Sequence, residues 1–444
     1  MLQKGDILLY KDVLYYTPNK TYDNMMKVAI VMFMLYAYSR LSWGYFVSNI
    51  GWGIDLLLAV SLMFFPFILK KRISIYKDVN ILLFLGMLII ISFNNNYDIA
   101  EYGFLGTALP YYCMFVIYVA GSTNGGWIKT AVQMMVLVGI IYALFTIVCS
   151  INNEFYYSNI VPIMSRYNTS YTPHPSAGFT AHYSTNGIYL SVGFCAMTGI
   201  ILFGRKKNLF NVHFIELTFF IILLLALFMN GKSGTLICIL AAVFLAYRNY
   251  TIMQRRGRIF KLITVVIVII TLLYILSMFI PSIAYTVERF SLESSEGDIS
   301  NGRFALWGYI WLLIQQNFTP MGLGWRWFRY NNILIPNTDA HNCFLQLILE
   351  NGFIGSLPFM IFMVIAFYRA YKLSIEVRNG TLRYTDKDVA YIYVAFIQEV
   401  FMIVYLLEGT ALYMPECMFT YFISCTIIEF YRRISRSSKK LENK

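Results

Sequence analysis

The amino-acid sequence predicts an all-α polytopic membrane protein with about twelve transmembrane helices and two long extracytoplasmic loops. Of the 444 residues, 58% are hydrophobic and only 13% are charged, whereas a soluble domain carries roughly 25% charged residues. The apolar residues form runs close to the ~20 residues that a helix needs to cross the hydrocarbon core. The charged residues lie between these runs. Because lipid offers no hydrogen bonds to the backbone, the runs are predicted to be helices.

The predicted spans divide the chain into short connections and two long ones. The spans lie near 25–42, 50–69, 79–93, 107–121, 128–150, 184–203, 213–230, 234–248, 261–280, 344–368, 389–407 and 415–430. The long connections cover about 151–183 and 281–343, and loops of this length are often functional. The whole chain, 1–444, is predicted to form a single integral membrane domain.

The basic residues alternate with the spans. With the N-terminus in the cytoplasm, 28 of the 35 Lys and Arg residues fall in inside segments, as the positive-inside rule requires. This explains the net charge of +12 without a nucleic-acid partner. We therefore expect a multi-pass protein of a bacterial cytoplasmic membrane with both termini in the cytoplasm.

The cysteines and the N-terminus give two further expectations. The seven cysteines form no CxxC pair and no Cys/His ligand spacing, so neither a metal site nor a disulfide framework is expected. The first twenty residues contain Asp6 and Asp12 and no cleavage-like site, which argues against a signal peptide.

A few basic residues remain outside, against the positive-inside tendency. They are Arg40, Arg166, Lys232, Arg289, Arg303, Arg326 and Arg329. Each alone is explained by solvation or by contact with a lipid headgroup. As a group they indicate binding of an anion beside the membrane, such as a lipid phosphate or pyrophosphate, because a guanidinium can donate two hydrogen bonds to adjacent oxygens.

Lys232 and Arg303 are the strongest candidates among these cations. Lys232 lies between two apolar spans that almost no loop separates, where a charge is expensive unless it is paired or reaches the interface. Arg303 precedes Trp307 and Trp311 at four-residue spacing, so the three would share one helix face. This face could hold a charged head and an attached sugar, and the alternative is an interfacial aromatic belt.

His341 is the candidate acid–base residue. It lies at the end of the second long loop, just before a span, where it could accept a proton near neutral pH; the alternative is a structural loop histidine. The segment 325–330 interleaves aromatic and basic residues. Beside a membrane, such a segment suits sugar faces and phosphates.

These segments, in this order and on one membrane face, resemble the O-antigen polymerase/ligase family. The motifs lie mainly in 215–370. They are Asn230-Gly231-Lys232-Ser233-Gly234, Gly302-Arg303 with Trp307, Pro320-Met321-Gly322-Leu323-Gly324, His341-Asn342 and Glu350-Asn351-Gly352. The stretch from Gly178 through His182 to Gly187 is similar to the family's segment that enters a span. Many relatives carry Arg where this chain has Lys232, and Lys keeps the charge but loses the planar fork.

The resemblance implies a glycosyltransferase C-like fold and glycosyl transfer from a polyprenyl pyrophosphate, without a metal or cofactor. Arg303, with Lys232, would stabilise the leaving pyrophosphate, and His341 would orient or deprotonate the acceptor hydroxyl. The predicted substrate-binding residues are Lys232, Trp307, Trp325, Arg326, Arg329, Arg166 and His182. The implied partners are an undecaprenyl-pyrophosphate-linked oligosaccharide and membrane lipids, and also a flippase and a chain-length regulator.

Polymerisation of repeat units for capsule, exopolysaccharide or O-antigen is favoured, since nothing in the sequence indicates a lipid-core acceptor. The alternatives are a ligase, which transfers the glycan to such a core, a flippase for the same lipid-linked glycan, and a non-enzymatic scaffold. A transporter should have polar groups near the midplane in matching halves. The few candidates for this are Asp55, Gln398 and Glu399, and no matching halves are evident.

Overall fold

The computed structural model describes residues 20–39, 78–94, 104–167, 173–204, 213–251, 302–334, 338–380 and 384–442, with a few isolated positions between 271 and 288. Within these ranges the regular structure is entirely helical and contains no strand. The all-α prediction is therefore confirmed for the described part of the chain.

The first half of the described chain contains seven labelled helices. They are α1 (Lys20–Ser39), α2 (Val79–Phe93), α3 (Phe104–Gly121), α4 (Ile128–Ile151), α5 (Val161–Tyr167), α6 (Tyr183–Phe203) and α7 (His213–Asn230). Part of the predicted first external loop is thus helical. Besides α5, it holds a short helix at Asn153–Phe155, a π-helical turn at Tyr156–Ile160 and a 3-10 turn at Pro175–Ala177.

The second half contains the remaining helices. They are α8 (Ser233–Thr251), α9 (Arg303–Gln316), α10 (Trp327–Asn331), α11 (Cys343–Arg378), α12 (Asp386–Glu408) and α13 (Pro415–Glu442), with a 3-10 turn at Ala411–Tyr413. α9 lies within the second long connection, which was predicted at about 281–343. α11 and α13 run well past the ends predicted for their spans.

Five of these helices are long and apolar enough to cross a membrane, namely α4, α6, α8, α11 and α12. Three shorter apolar helices, at Val79–Phe93, Ala108–Gly121 and Phe214–Asn230, coincide with further predicted spans. The chain is accordingly a polytopic helical membrane protein. The number of about twelve spans stays a prediction, because the span at 50–69 and most of that at 261–280 lie outside the described residues.

α12 lies at the centre of the bundle, where it packs against α6, α8, α11 and α13. Small residues allow the helices around it to approach closely. A Cβ on Gly139 of α4 would lie 2.5 Å from the Cα of Gly193 on α6. A Cβ on Gly199 would lie 2.5 Å from Cγ2 of Val394 on α12. Membrane helices commonly use such small residues to bring their backbones together.

Two polar clusters mark opposite ends of the bundle. At the start of α2, Asp78 accepts from Arg369 at 2.9 Å, and Arg369 also pairs with Glu429 at 3.0 Å. At the end of α2, Asn94 accepts from the backbone N–H of Trp325 at 2.9 Å. The first cluster joins segments predicted to be cytoplasmic, and the second joins segments predicted to be external. Which end faces the cytoplasm stays a prediction.

Candidate active site

The turn between α7 and α8 presents Lys232. Gly231 has a φ of 68°, a conformation that glycine adopts without steric cost. The Asn230 side-chain N–H₂ donates to the carbonyl oxygens of Ser176 at 3.0 Å and Tyr183 at 2.9 Å. The turn is therefore anchored to the end of the first external loop, and the Lys232 side chain is only 8% exposed.

The carboxylate of Glu408 joins Lys232 to Arg303. Its Oε1 lies 3.1 Å from Nη1 of Arg303 and 3.5 Å from Nζ of Lys232. Gly234 makes this approach possible, because a Cβ there would lie 1.8 Å from both carboxylate oxygens. Two of the cations predicted to bind an anion thus share one acidic partner.

Each of these charges occupies the unfavourable end of its helix. Arg303 is the first residue of α9 and Lys232 directly precedes α8, whereas Glu408 is the last residue of α12. A helix dipole disfavours cations at the N-terminus and anions at the C-terminus by about 0.3–1 kcal/mol each. Local helix stability therefore does not explain the three charges.

His341 lies beside this cluster in a strained backbone conformation. Its φ is 50°, which is uncommon for a residue with a side chain. The next residue, Asn342, caps α11 by accepting the N–H of Leu345 at 3.1 Å. Partial burial and then the charges of Arg303 and Lys232 lower the pKa of His341, while Asp339 and Glu408 oppose this shift. The imidazole is accordingly neutral at pH 7.

His182 approaches the cluster from the first external loop. Its Nδ1 accepts the backbone N–H of Ser184 at 3.1 Å, so the neutral ring carries its proton on Nε2. Solvent reaches the side chain, but neighbouring protein atoms displace part of its hydration. This loss, followed by the charges of Lys232, His341 and His174, lowers the pKa of His182 to about 4.

Tyr183 connects the first external loop to Lys232. Its ring lies 4.4 Å from that of His182 and 5.4 Å from that of His174, between centroids. Nζ of Lys232 lies 6.0 Å from the centroid of the same ring. His174 and Tyr183 therefore belong to the site, although the sequence did not single out either of them.

Glu350 on α11 organises the loop that leads to His341. Its two oxygens accept the backbone N–H groups of Arg326 at 2.8 Å and Phe328 at 3.0 Å. The side chain of Gln346 donates to Glu350 at 2.9 Å and to Asp339 at 3.1 Å. Three donors thus converge on one buried carboxylate. The Glu of the Glu-Asn-Gly motif therefore has a structural role, which is to hold this loop.

Trp325, Arg326 and Arg329, which were predicted to bind substrate, make contacts within this loop. Trp325 is 2% exposed and its ring centroid lies 4.5 Å from that of Tyr413. Arg326 is 6% exposed and donates to the carbonyl oxygen of Tyr413. Arg329 donates to Asp339 at 3.0 Å. These contacts favour a role in holding the loop, and direct contact with substrate stays a prediction.

Trp307 and Arg166 take different positions. Trp307 lies one turn after Arg303 on α9, is half-buried, and its indole N–H meets no acceptor among the described residues. Its ring packs edge-on against Phe304 at 5.5 Å. Arg166 lies exposed in the last turn of α5, and its predicted contact with substrate likewise stays a prediction.

Glu408 is the principal site residue that sequence reasoning missed. The available signal was an acidic residue directly before Gly409, at the end of an apolar span that the topology predicts to be external. Its two partners are distant in the sequence, so the pairing emerges only from the packing of α12 against α8. In the described ranges no group of three or more His, Cys, Asp or Glu side chains could hold a metal ion.

Fold and site together define a polytopic membrane protein with a cationic, histidine-containing centre at one end of its helices. Residues 218–360 match the family model described as O-antigen ligase, which confirms the resemblance to the O-antigen polymerase/ligase family. Members of this family are glycosyltransferase-like enzymes of polysaccharide assembly, and the match supports such a role here. The matched segment includes Lys232, Arg303 and His341, but not Glu408. No curated protein and no solved structure matches the chain.

Proposed function

We propose that the protein polymerises undecaprenyl-pyrophosphate-linked oligosaccharide repeat units into surface polysaccharide on the outer face of the cytoplasmic membrane. The observation that carries this proposal is the grouping of Lys232 and Arg303 on one carboxylate, with His341 beside them. Two cations suit a pyrophosphate leaving group, and a neutral imidazole suits an acceptor hydroxyl.

In the proposed reaction, a sugar hydroxyl of one glycan attacks the anomeric carbon of another that is linked to the lipid. The new glycosidic bond forms as the bond between that carbon and the pyrophosphate oxygen breaks. Negative charge then develops on the leaving lipid pyrophosphate, where Arg303 and Lys232 stabilise it. One preorganised donor of this kind contributes on the order of 3 kcal/mol to transition-state stabilisation.

His341 is proposed to accept the proton of the attacking hydroxyl. Burial and then the nearby cations lower the pKa of His341, so the ring is unprotonated and ready to act as a base at neutral pH. The hydrogen bonds of Gln346 with Asp339 and with the backbone N–H of Ala340, at 3.1 Å and 2.9 Å, support the segment just before His341. Arg326 and Arg329 pair with the same Asp339, at 4.0 Å and 3.0 Å, so the Trp325–Arg329 segment is proposed to help position His341.

Trp307 is proposed to bind the sugar next to the pyrophosphate. It lies one turn from Arg303, and its unpartnered indole N–H could donate to a sugar hydroxyl while the ring covers an apolar sugar face. His182 and Arg166 are proposed to contact the glycan from the first external loop. His182 is the better supported of the two, because Lys232 and His341 perturb its titration.

Ligation to a lipid core is the second candidate, and it is favoured because the matching family is described as O-antigen ligase. Both reactions use the same donor and differ only in the acceptor.

A flippase is less well supported. Of its candidate midplane groups, Gln398 donates to the carbonyl oxygen of Val192 at 2.6 Å, Glu399 is fully buried, and Asp55 lies outside the described residues.

The size profile of lipid-linked glycans in a strain that lacks the gene tests this proposal. The strain is complemented with wild type or His341→Ala at matched protein levels. We expect single repeat units to accumulate on the outer face in the null and His341→Ala strains, and wild type to restore long chains. Repeat units retained on the cytoplasmic face would indicate a flippase. Long chains that form but never leave the carrier would indicate a ligase.

A further inference from the structure

We propose that Glu408 is the resident counter-anion of the donor site, and that the pyrophosphate of the lipid-linked donor displaces it from Lys232 and Arg303. This inference rests on the proposed function, because it names what the cationic site binds. It adds a residue outside the matched segment 218–360 and assigns it a part in selecting the donor.

Glu408 makes contacts that a phosphate oxygen would make. One oxygen, Oε1, takes both cations, at 3.1 Å from Arg303 and 3.5 Å from Lys232. Guanidinium and ammonium groups make the same kind of charge-assisted contact with phosphate oxygens as with carboxylate oxygens. The carboxylate therefore lies between the two cations, where an anionic ligand would be bound most strongly.

The site is open enough for exchange. The side chains of Arg303 and Glu408 are 24% and 18% exposed, respectively. Solvent therefore reaches the pair, and an incoming anion can approach Arg303 before Glu408 leaves. Lys232 stays nearly buried, at 8% exposure, so it needs an anionic partner at all times, because an unpaired buried charge is costly.

The charges give this exchange a direction. Glu408 lies at the C-terminus of α12, where the helix dipole disfavours a carboxylate. The two cations hold its Oε1, and its Oε2 receives only a weak contact from the Cys238 thiol, whose Sγ lies 4.0 Å away. A pyrophosphate diester carries one more negative charge than the carboxylate and competes for both cations. A neutral glycan cannot displace Glu408, and a monoanionic lipid headgroup competes with it only on equal charge. Glu408 thereby favours pyrophosphate-linked donors over other components of the membrane.

Binding of inorganic pyrophosphate to the full-length protein in phosphatidylcholine nanodiscs tests the proposal, with the dissociation constant measured by titration calorimetry. In Glu408→Gln the competing charge is removed, so we expect pyrophosphate to bind about five-fold more tightly or better, the lower range of typical coupling between two ligands. The matched control is Glu154→Gln, which removes a carboxylate from an exposed position in the first external loop. It should leave the affinity unchanged.

A second variant keeps every charge. In Glu408→Asp the side chain is one methylene shorter, so its carboxylate is drawn back from Arg303 and Lys232 while the space between the two cations stays open. We expect this variant also to bind pyrophosphate more tightly, which covers the case in which Glu408→Gln fails to fold. Weaker or unchanged binding in the folded variants would overturn the role of Glu408. If wild type and Arg303→Ala bind pyrophosphate equally, the proposed donor site itself is wrong.

Discussion

Strain at single residues is concentrated in the loop that carries the candidate base. Among the described residues, Arg326 and His341 are the two non-glycine residues with positive φ, at 69° and 50°. Such conformations cost of order 1–3 kcal/mol and persist only where the surroundings enforce them. Here the enforcing contacts are the hydrogen bonds of Arg326 to Glu350 and the Asn342 cap.

The first prediction concerns the pH dependence of the rate, namely the pH below which activity falls. A general base must be unprotonated, and the pKa of His341 is lowered from its ordinary value of 6.5. We therefore expect the rate to fall only at a pH below 6.5, in kcat/KM measured with lipid-linked repeat units. An acid limb at or above pH 6.5 would contradict the assignment of His341 as the base.

The Lys232→Met variant gives this prediction a directional control. The charge of Lys232 helps to lower the pKa of His341, so removing it should move the acid limb of the residual activity towards higher pH. A purely structural histidine would give no such movement, even if the overall rate fell.

At the scale of elements, two glycine-rich motifs form one interlocked turn. Gly322 and Gly352 both have positive φ, at 69° and 68°. A Cβ on Gly322 would lie 2.4 Å from the Gly352 nitrogen, and one on Gly352 would lie 2.2 Å from the carbonyl oxygen of Pro320. The backbone of Gly324 donates to the carbonyl oxygen of Glu350 at 2.7 Å. The loop after α9 is thus clamped onto the kink in α11.

Replacing Gly352 with Ala tests this clamp. We expect the thermal midpoint in nanodiscs to fall clearly, because the new Cβ overlaps the Pro320 carbonyl and overpacking typically costs about 1–3 kcal/mol. The matched control is Gly380→Ala. Gly380 also has a positive φ, 64°, but a Cβ there would meet no atom within 4 Å. Both variants carry the cost of positive φ, so only the excess loss in Gly352→Ala measures the clash. Equal losses would mean that the two motifs do not interlock.

The same loop shows what the sequence can and cannot predict. The sequence singles out Lys232, Arg303 and His341 because each stands out locally: the predicted topology places two cations on the side of the membrane that disfavours them, and His341 is a rare histidine at a span boundary. The surroundings of Trp325 and Arg326 were harder to predict. The alternation of aromatic and basic residues suggests a ligand surface. In the structure, however, the Trp325 ring packs against Tyr413, and Arg326 donates to the carbonyl oxygen of Tyr413. Glu408 could not be assigned from the sequence, since its meaning depends on two partners brought in by tertiary packing.

At the scale of the whole molecule, the helices sort the polar groups to two ends. Arg369, Arg432 and Arg433 surround Asp78 and Glu429 at one end, and Lys232, Arg303 and His341 lie at the other. α12 runs from one end of the bundle to the other. Near the start of α12, Asp388 accepts a hydrogen bond from the Tyr431 hydroxyl at 2.8 Å, and Glu408 is the last residue of this helix. Within the described ranges, predicted spans and observed helices therefore agree on which segments share an end of the bundle. The span at 50–69 and most of that at 261–280 lie outside these ranges.

The direction of the bundle in the membrane can be measured by labelling single cysteines introduced at exposed positions. The seven native cysteines are all buried, so a membrane-impermeant maleimide should give little background. If the end that carries Lys232 and His341 faces outwards, Glu154→Cys should react in intact spheroplasts. Asn379→Cys, after the end of α11, should then react only after permeabilisation, because the positive-inside rule places that segment in the cytoplasm. The reverse pattern would place the candidate site in the cytoplasm and exclude assembly of the glycan on the outer face.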